Sequence, residues 1–297
     1  FRSNYVQHCC VMLTSFFENN KEEGNVIHLL TEGITEDNKK TIEELIHAYK
    51  GEFCYYLVNS EIVASFPIKE GDHLTIATYY RLLMADILPQ SIDKILYLDC
   101  DIIINDSITE LWNTSLDGYA MAAIEELGCS LPDVYKRLGY DKKYGYFNAG
   151  VLLINLQYWR EHNLTREFLL YIAENYEKLK AHDQDVLNAL LHKKCLHVSY
   201  KWNVEEAFYH YSVMKRLKHN RELRFVLRHP TILHYTWKPK PWDLSCKHPF
   251  RINYYIYLQR FAGSSLNFKR KLAALFDKYV FCFFLWINLK GHRYYKL

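Results

Sequence analysis

The chain has 297 residues, of which 49% are hydrophobic and 24% are charged, and its formal net charge is only +3. A chain of this length and composition can bury a large core, which excludes a disordered protein and favours one large domain with at most a small appendage. The small net charge argues against nucleic acid as a partner, because domains that bind nucleic acid usually carry a strong basic patch.

The predicted elements follow in chain order. Helical patterns occupy about 5–19, 35–49, 75–88, 165–179 and 183–192, and strand patterns occupy 25–30, 53–58, 95–99, 119–124, 151–155, 195–199 and 231–234. Alternation of this kind predicts an α/β domain with a mostly parallel sheet. A domain of this type normally opens with a strand, whereas this chain opens on a helix. We therefore expect that its native first strand is absent, and we predict one domain over residues 1–245.

Residues 246–297 have a different character, since they are basic and aromatic. The apolar run at 279–287 is about half of the ~20 residues needed to cross a bilayer,. Phe and Trp flanked by Lys and Arg are typical of a segment that lies on an anionic membrane surface. The alternative is a C-terminal helix that packs on the domain, and we favour the membrane surface.

The eight cysteines are scattered, without a CxxC pair or a spacing typical of zinc sites. Several lie in apolar runs, which favours buried, reduced thiols in a cytoplasmic protein over a disulfide framework. The sequence shows no secretory signal peptide. We therefore expect a cytoplasmic protein, peripheral at the cytoplasmic face of a membrane.

Two carboxylates follow the apolar strand pattern at 95–99. Asp99 and Asp101 are spaced i, i+2, and alternate side chains of a strand share one face, so we expect both to project from its carboxyl end,. Open α/β sheets bind ligands at that edge. Two acidic oxygens suit a hard divalent cation, and such a cation can hold a diphosphate.

Further segments carry polar residues next to predicted elements. Asp183-Gln184-Asp185 begins a helical pattern, where the helix dipole alone would favour acidic residues,. Asn148-Ala149-Gly150 precedes a buried strand, and its glycine allows the backbone to approach a ligand closely. His234 ends a strand and precedes a loop containing Lys240, which are residue types that bind a transition metal and a phosphate. Each segment alone is also compatible with a structural role.

Together and in this order, these segments resemble glycosyltransferase family 8, the retaining nucleotide-sugar transferases that include bacterial lipopolysaccharide galactosyl- and glucosyltransferases. The resemblance covers about residues 4–242. It implies a GT-A fold, with a Rossmann-like mixed, mostly parallel sheet flanked by helices. The matching residues are Asn4-Tyr5, Tyr80-Arg81-Leu82, Leu98-Asp99-Cys100-Asp101, Asn148-Ala149-Gly150-Val151, Asp183-Gln184-Asp185, His234-Tyr235 and Lys240-Pro241-Trp242.

The resemblance also implies ligands and roles. Mn²⁺, or Mg²⁺, would be bound by Asp99, Asp101 and His234, and the donor would be a UDP-sugar. The other implied contacts are Lys240 with the phosphates, Asn4 with the nucleotide, and Arg81, Asn148, Ala149 and Asp183 with the donor sugar. Gln184 would lie beside the anomeric carbon. The acidic position that follows the strand at 119–124 would fall at Glu125 or, as we favour, Glu126.

The chain departs from the family pattern in two places. The family's first strand normally ends in an Asp just before the Asn-Tyr pair, and Phe1-Arg2-Ser3 does not supply it. The loop after Tyr235 normally carries a small residue, whereas this chain has Trp237 and Lys238. If Trp237 cannot be accommodated, we expect the loop to pack differently over the phosphates.

The predicted function is transfer of glucose or galactose to a growing lipopolysaccharide, capsule or related glycan, with a glycan or glycolipid as acceptor. We favour front-face displacement, because the Gln184 amide is a poor nucleophile, and Asp183 and Asp185 stay candidates for a double displacement. Two alternatives remain: a non-catalytic carbohydrate-binding protein with the same fold, and a two-carboxylate glycoside hydrolase, which would need neither a metal-binding His nor a phosphate-binding Lys.

Overall fold

The computed structural model describes residues 5–58, 76–127, 133–210, 212–213, 215, 220–263 and 279–280. The chain forms two compact units that are interleaved in sequence. The first unit contains the described residues of Phe1–Tyr5, Gly24–Leu98 and Glu110–Val198, and the second contains those of Val6–Glu23, Asp99–Thr109 and Ser199–Leu297. The predicted boundary between residues 245 and 246 stays a prediction.

The strands form three sheets over the described residues. The strands are β1 (Val26–Thr31), β2 (Glu52–Leu57), β3 (Lys94–Leu98), β4 (Ile102–Ile104), β5 (Met121–Glu125), β6 (Phe147–Asn155), β7 (Cys195–His197), β8 (Val204–Glu205) and β9 (Ile232–His234). In the first unit, β1 pairs with β2 in parallel, and a four-stranded sheet has the order β3-β6-β5-β7. In the second unit, β4-β9-β8 forms a three-stranded sheet.

Parallel and antiparallel pairs occur together in these sheets. Strand β6 is antiparallel to both β3 and β5, while β5 is parallel to β7. Strand β9 is antiparallel to β4 and parallel to β8. With the helices between these strands, the fold is the mixed α/β class that the sequence predicts.

The helices over the described residues are α1 (Val6–Asn19), α2 (Glu36–Ala48), α3 (Met84–Ile87), α4 (Thr109–Trp112), α5 (Val134–Leu138), α6 (Leu156–Glu161), α7 (Leu164–Asn175), α8 (His182–Leu191), α9 (Arg221–Arg228) and α10 (Arg251–Ala262). Helices α1, α2, α7 and α8 lie near their predicted limits, whereas α4, α5, α6, α9 and α10 have no counterpart among the predicted helical patterns. The single α-helix predicted at 75–88 is wrong in part, because Ile76–Leu83 forms a 3₁₀ helix and only the last turn before Leu88 is α-helical.

The core of the first unit is built around β6. Eight of the nine residues of this strand are buried, because it lies between two neighbouring strands and under helices. Trp159 packs edge-on against Phe168, and its indole N–H donates to the Ala120 carbonyl at 3.0 Å. The apolar run from Val151 to Ile154 therefore forms the buried strand that its sequence predicts. The predicted start is wrong, because the strand begins at Phe147 and Asn148-Ala149-Gly150 lies within it and not before it.

In the second unit, α1 packs against both α10 and β4. Strand β4 is three buried isoleucines, and the Ser15 hydroxyl of α1 accepts the Ile104 N–H at 3.0 Å. Asn19, at the end of α1, donates to the Ile104 carbonyl at 3.0 Å and to the Tyr257 hydroxyl at 2.8 Å. These bonds fix β4 directly after the Asp99–Asp101 turn.

Most of the predicted membrane-surface segment lies outside the described residues, so that hypothesis stays a prediction. Residues 279 and 280 are helical, and the other positions of the 279–287 run are not described. Among the residues that the structure describes, no helix has both the length and the apolar character needed to span a bilayer.

Candidate active site

The second unit brings together Asp99, Asp101 and His234. One ligand atom from each lies within 4.8 Å of the others, a spacing that a single metal ion could bridge. His234 Nε2 is 3.2 Å from Asp101 Oδ1 and 3.8 Å from Asp99 Oδ2. The imidazole is buried, whereas the two carboxylates are partly exposed, with side-chain exposures of 27% for Asp99 and 16% for Asp101.

The two carboxylates converge through a turn and not through strand alternation, so this part of the sequence interpretation is wrong. Strand β3 ends at Leu98, and Cys100 and Asp101 form a turn before β4 begins. Antiparallel pairing sets Ile102 opposite His234, and the Tyr235 N–H donates to the Asp101 carbonyl at 3.0 Å. The end of β9 is thereby held against the turn that carries both acids.

Lys240 neutralises one of these acids. Its ammonium group lies 2.6 Å from Asp101 Oδ2 and also donates to the carbonyls of Tyr235 and Thr236. Burial alone would raise the pKa of Asp101, but the positive charge of Lys240 and the His234 imidazole outweigh it and hold that pKa well below its usual range,. Asp101 is therefore ionised at neutral pH and available as an anionic ligand.

The donor chemistry of this cluster fits a divalent metal. Carboxylate oxygens suit Mg²⁺ and Mn²⁺, and an imidazole nitrogen shifts the preference toward a transition metal. His234 Nδ1 lies 2.9 Å from the Asn203 Oδ1 atom, so Nε2 is the ring nitrogen on the side of the carboxylates. No pattern in the sequence points to Asn203, because a single asparagine forms no motif.

A second cluster, in the first unit, surrounds Gln184. Its Oε1 atom accepts from Asn148 Nδ2 at 3.2 Å and from the Ala149 N–H at 3.0 Å, and its Nε2 atom donates to Glu126 Oε2 at 2.7 Å. Asn148 is itself held by the Gly150 N–H, which donates to its Oδ1 atom at 2.8 Å. The amide of Gln184 is thus fixed in one orientation, and Glu126 rather than Glu125 makes the contact.

Arg81 and Asp183 form a buried ion pair in the same unit. Arg81 Nε lies 2.8 Å from Asp183 Oδ2, and its Nη1 atom donates to the Ala149 carbonyl. The guanidinium group also lies over the Tyr97 ring, 4.3 Å from its centroid. These contacts place four predicted sugar-site residues, Arg81, Asn148, Ala149 and Asp183, in one connected cluster.

Asp185 belongs to a different set of contacts. It is fully buried, and its carboxylate accepts from Arg137 Nη1 at 2.6 Å, from Arg137 Nη2 at 3.1 Å and from the Tyr146 hydroxyl at 2.9 Å. The backbone N–H groups of Lys180 and Ala181 donate to it at 2.7 and 2.8 Å. Because five donors surround its two oxygens, Asp185 favours a structural role over the predicted nucleophilic one.

Two further predictions concern the nucleotide and the phosphates of the donor. Asn4 lies outside the described residues, so its predicted contact with the nucleotide stays a prediction. Trp237 has 47% of its surface exposed, so the loop accommodates this bulky side chain by leaving much of it in solvent. The Lys240 side chain, in the same loop, nevertheless donates to Asp101. The backbone N–H of Lys240 donates to Asp243 Oδ2 at 2.7 Å, which stabilises the loop.

Several known proteins are similar to this chain. A family model described as "Glycosyl transferase family 8" matches residues 1–246. General stress protein A of Bacillus subtilis is 29% identical over 265 residues, which cover 86% of this chain and 90% of that protein. Lipopolysaccharide 1,3-galactosyltransferase of Salmonella typhimurium is 28% identical over 252 residues, which cover 80% of this chain and 70% of that protein.

A solved structure of the galactosyltransferase LgtC, in complex with donor and acceptor sugar analogs, superposes with a TM-score of 0.78 at 26% identity. The match covers 91% of this chain and 97% of that one. The fold is therefore of the GT-A type, and the prediction of a glycosyltransferase is confirmed. The chain belongs to glycosyl transferase family 8.

Proposed function

We propose that this chain is a metal-dependent, retaining hexosyltransferase that moves glucose or galactose from a UDP-sugar to a hydroxyl of lipopolysaccharide, capsule or a related glycan. The observation that carries the proposal is the convergence of Asp99, Asp101 and His234 in the second unit. The names of similar proteins support the sugar class, since they include lipopolysaccharide glucosyl- and galactosyltransferases. The proposed acceptor is likewise a glycan or glycolipid.

We assign binding of the donor diphosphate to the second unit, through its cluster of Asp99, Asp101 and His234. Transfer of a sugar releases a nucleoside diphosphate, so negative charge builds up on the leaving phosphate. A divalent ion bound by Asp99, Asp101 and His234 would supply positive charge at that phosphate. The Lys240 ammonium group lies 2.6 Å from Asp101 and donates to the Tyr235 and Thr236 carbonyls. We assign it a contact with the phosphate in which one of these three bonds is exchanged for one to a phosphate oxygen, where it stabilises the same developing charge.

The cluster of the first unit is assigned to the hexose. Arg81 and the Asn148 amide provide donors for sugar hydroxyls, and Asp183 provides an acceptor, although its partner Arg81 already lies 2.8 Å away. The Gln184 amide is held by three hydrogen bonds, so it can orient a reacting group without rearrangement,. An amide is a poor nucleophile, which supports front-face displacement in which the leaving phosphate accepts the acceptor's proton.

The fixed contacts of Asp185 weaken the double-displacement alternative for that residue. A nucleophile needs an oxygen that can reach the anomeric carbon, and both Asp185 oxygens already accept hydrogen bonds in a fully buried position. Of the two predicted nucleophiles, Asp183 is therefore the one that a double displacement would use. Trapping of a glycosyl ester on Asp183 would therefore contradict the front-face proposal.

We also propose that the protein works in the cytoplasm at a membrane surface. The basic and aromatic composition of residues 268–297 supports this proposal,. Replacing Lys269, Arg270 and Lys271 by Gln should reduce co-sedimentation with vesicles of phosphatidylglycerol and leave the low binding to phosphatidylcholine unchanged. Equal binding to both lipids by the parent chain would contradict the proposal.

The central experiment measures UDP released from a panel of UDP-sugars with Mn²⁺, with and without a chelator. We expect one or two UDP-hexoses to react, and donor turnover to fall about 10²–10³-fold in Asp101→Asn. Asp106→Asn is the matched control, because Asp106 is an exposed aspartate of the same unit whose bond from the Ser107 N–H an asparagine can keep. No release from any donor would favour a non-catalytic carbohydrate-binding protein, and chelator-insensitive hydrolysis of glycosides would favour a hydrolase.

A further inference from the structure

The buried side chain of Asn203 lies behind the His234 imidazole, on the side away from the two carboxylates. Asn203 is fully buried, and its Oδ1 atom is 2.9 Å from His234 Nδ1. The opposite ring nitrogen, Nε2, is 3.2 Å from Asp101 Oδ1 and 3.8 Å from Asp99 Oδ2. The imidazole is therefore held between an amide oxygen and a pair of acids.

The backbone on both sides of this contact is fixed. Asn203 ends the 3₁₀ turn Tyr200–Trp202, and its N–H donates to the Tyr200 carbonyl at 3.2 Å. It directly precedes β8, which pairs in parallel with β9 so that Glu205 is in register with His234. The sheet thus sets the distance between the asparagine and the histidine before any ligand binds.

We propose that Asn203 is a positioning residue for the metal site, and that it holds a proton on His234 Nδ1 so that Nε2 is the nitrogen that binds the metal. An amide oxygen can only accept, so its partner nitrogen must carry hydrogen. An imidazole that binds a metal through one nitrogen commonly donates its other N–H to a neighbouring oxygen, which fixes the ring orientation and the tautomer. This inference rests on the metal site of the proposed function.

The first test does not need a metal. Nitrogen NMR of protein with ¹⁵N-labelled histidine should show a slowly exchanging Nδ1–H proton on His234, assigned by its loss in His234→Gln. That proton should exchange rapidly in Asn203→Ala. A His234 Nδ1 without a proton in the parent protein would overturn the inference, because the asparagine would then donate through Nδ2 and leave the hydrogen on Nε2.

The second test measures Mn²⁺ affinity without any sugar donor, by calorimetry or by the electron paramagnetic resonance signal of free Mn²⁺. Asn203→Ala should weaken binding by roughly 10–100-fold, the usual effect of removing a partner of this kind. Asn203→Asp keeps an acceptor oxygen at the same place and should bind Mn²⁺ more tightly than Asn203→Ala. Unchanged affinity in Asn203→Ala would overturn the inference.

A general loss of stability would not explain this pattern. Asn20 is a buried asparagine of the same unit, which accepts the Ile108 N–H at 2.8 Å and donates to the Phe16 carbonyl at 2.9 Å. Asn20→Ala should lower the unfolding temperature and leave Mn²⁺ affinity unchanged. If the parent protein binds no Mn²⁺, the proposed function fails, whereas the Nδ1–H measurement still decides the role of Asn203.

Discussion

Replacing Asp185 by Asn should destabilise the protein far more than it impairs the chemistry. Asp185 and Arg137 form a buried ion pair with two N–O contacts, of 2.6 and 3.1 Å. In the variant, the Arg137 guanidinium keeps its charge and loses its anionic partner. The asparagine also turns one acceptor oxygen into an NH₂ group, which faces donors such as the Tyr146 hydroxyl and the Lys180 and Ala181 N–H groups.

The magnitude follows from this arrangement. Removing one partner of a buried ion pair typically costs about 3–5 kcal/mol, mostly because the other charge is left buried without compensation. The entire free energy of unfolding of a globular protein is about 5–15 kcal/mol. The variant should therefore lose a large part of its stability, and its urea midpoint should fall by about 1 M or more.

The assay follows urea unfolding by circular dichroism alongside donor turnover at a temperature where the variant is folded. Asp117→Asn is the control, because Asp117 is an exposed aspartate of the same unit and accepts only a hydroxyl hydrogen bond, from Ser115 at 2.7 Å. The control should unfold like the parent chain. If Asp185→Asn unfolds at the parent midpoint yet has no activity, Asp185 acts in catalysis and the structural assignment is wrong.

Three further outcomes are expected. Asp101→Asn should bind Mn²⁺ much more weakly than the parent in the absence of donor, and should lower donor turnover about 10²–10³-fold, as for other electrostatic stabilisers; unchanged affinity would remove Asp101 from the site. Gln184→Ala should lower kcat on the order of 10²-fold with an almost unchanged urea midpoint, and normal kcat would contradict its role. Burial lowers the pKa of His248 from 6.5 to about 4, so the unfolded chain binds more protons between these values. His248 alone should lower the unfolding free energy by up to about 3 kcal/mol as pH drops from 6.5 to 4, so the fall should be smaller in His248→Asn.

Hydrophobic pattern was sufficient to predict most elements of the fold. Helix α7 and the 151–155 part of strand β6 lie where their apolar residues predict them, because burial of those residues dominates their local energetics,. The 3₁₀ helix at Ile76–Leu83 was predicted as α-helical, since both helix types place apolar residues three or four positions apart and the pattern does not separate them,. Pairing of β4 with β9 joins residues more than a hundred positions apart, and pairing of β8 with β9 joins residues 29 positions apart, so neither has a local signal.

Local sequence patterns also could not predict which side chains are paired with each other in the two clusters. Arg137 and Asp185 are 48 positions apart, and Asn203 and His234 are 31 apart. Arginine and asparagine are common on protein surfaces, so nothing in the sequence indicates that these two are paired with buried groups. The acidic first turn of α8 is a local pattern that does predict the start of a helix. The structure agrees, and Asp185 also accepts from the Lys180 and Ala181 N–H groups just before that helix.

The two Asp-x-Asp segments show why the same spacing has two meanings. In α8, residues i and i+2 point about 200° apart around the helix axis. Asp183 and Asp185 therefore take separate arginine partners, Arg81 and Arg137. In the turn before β4, Asp99 and Asp101 instead approach one imidazole, at 3.8 and 3.2 Å. The backbone that carries the two acids, rather than their spacing, decides whether they stabilise the fold or bind a metal together, and Mn²⁺ affinity should accordingly fall in Asp99→Asn but not in Asp183→Asn.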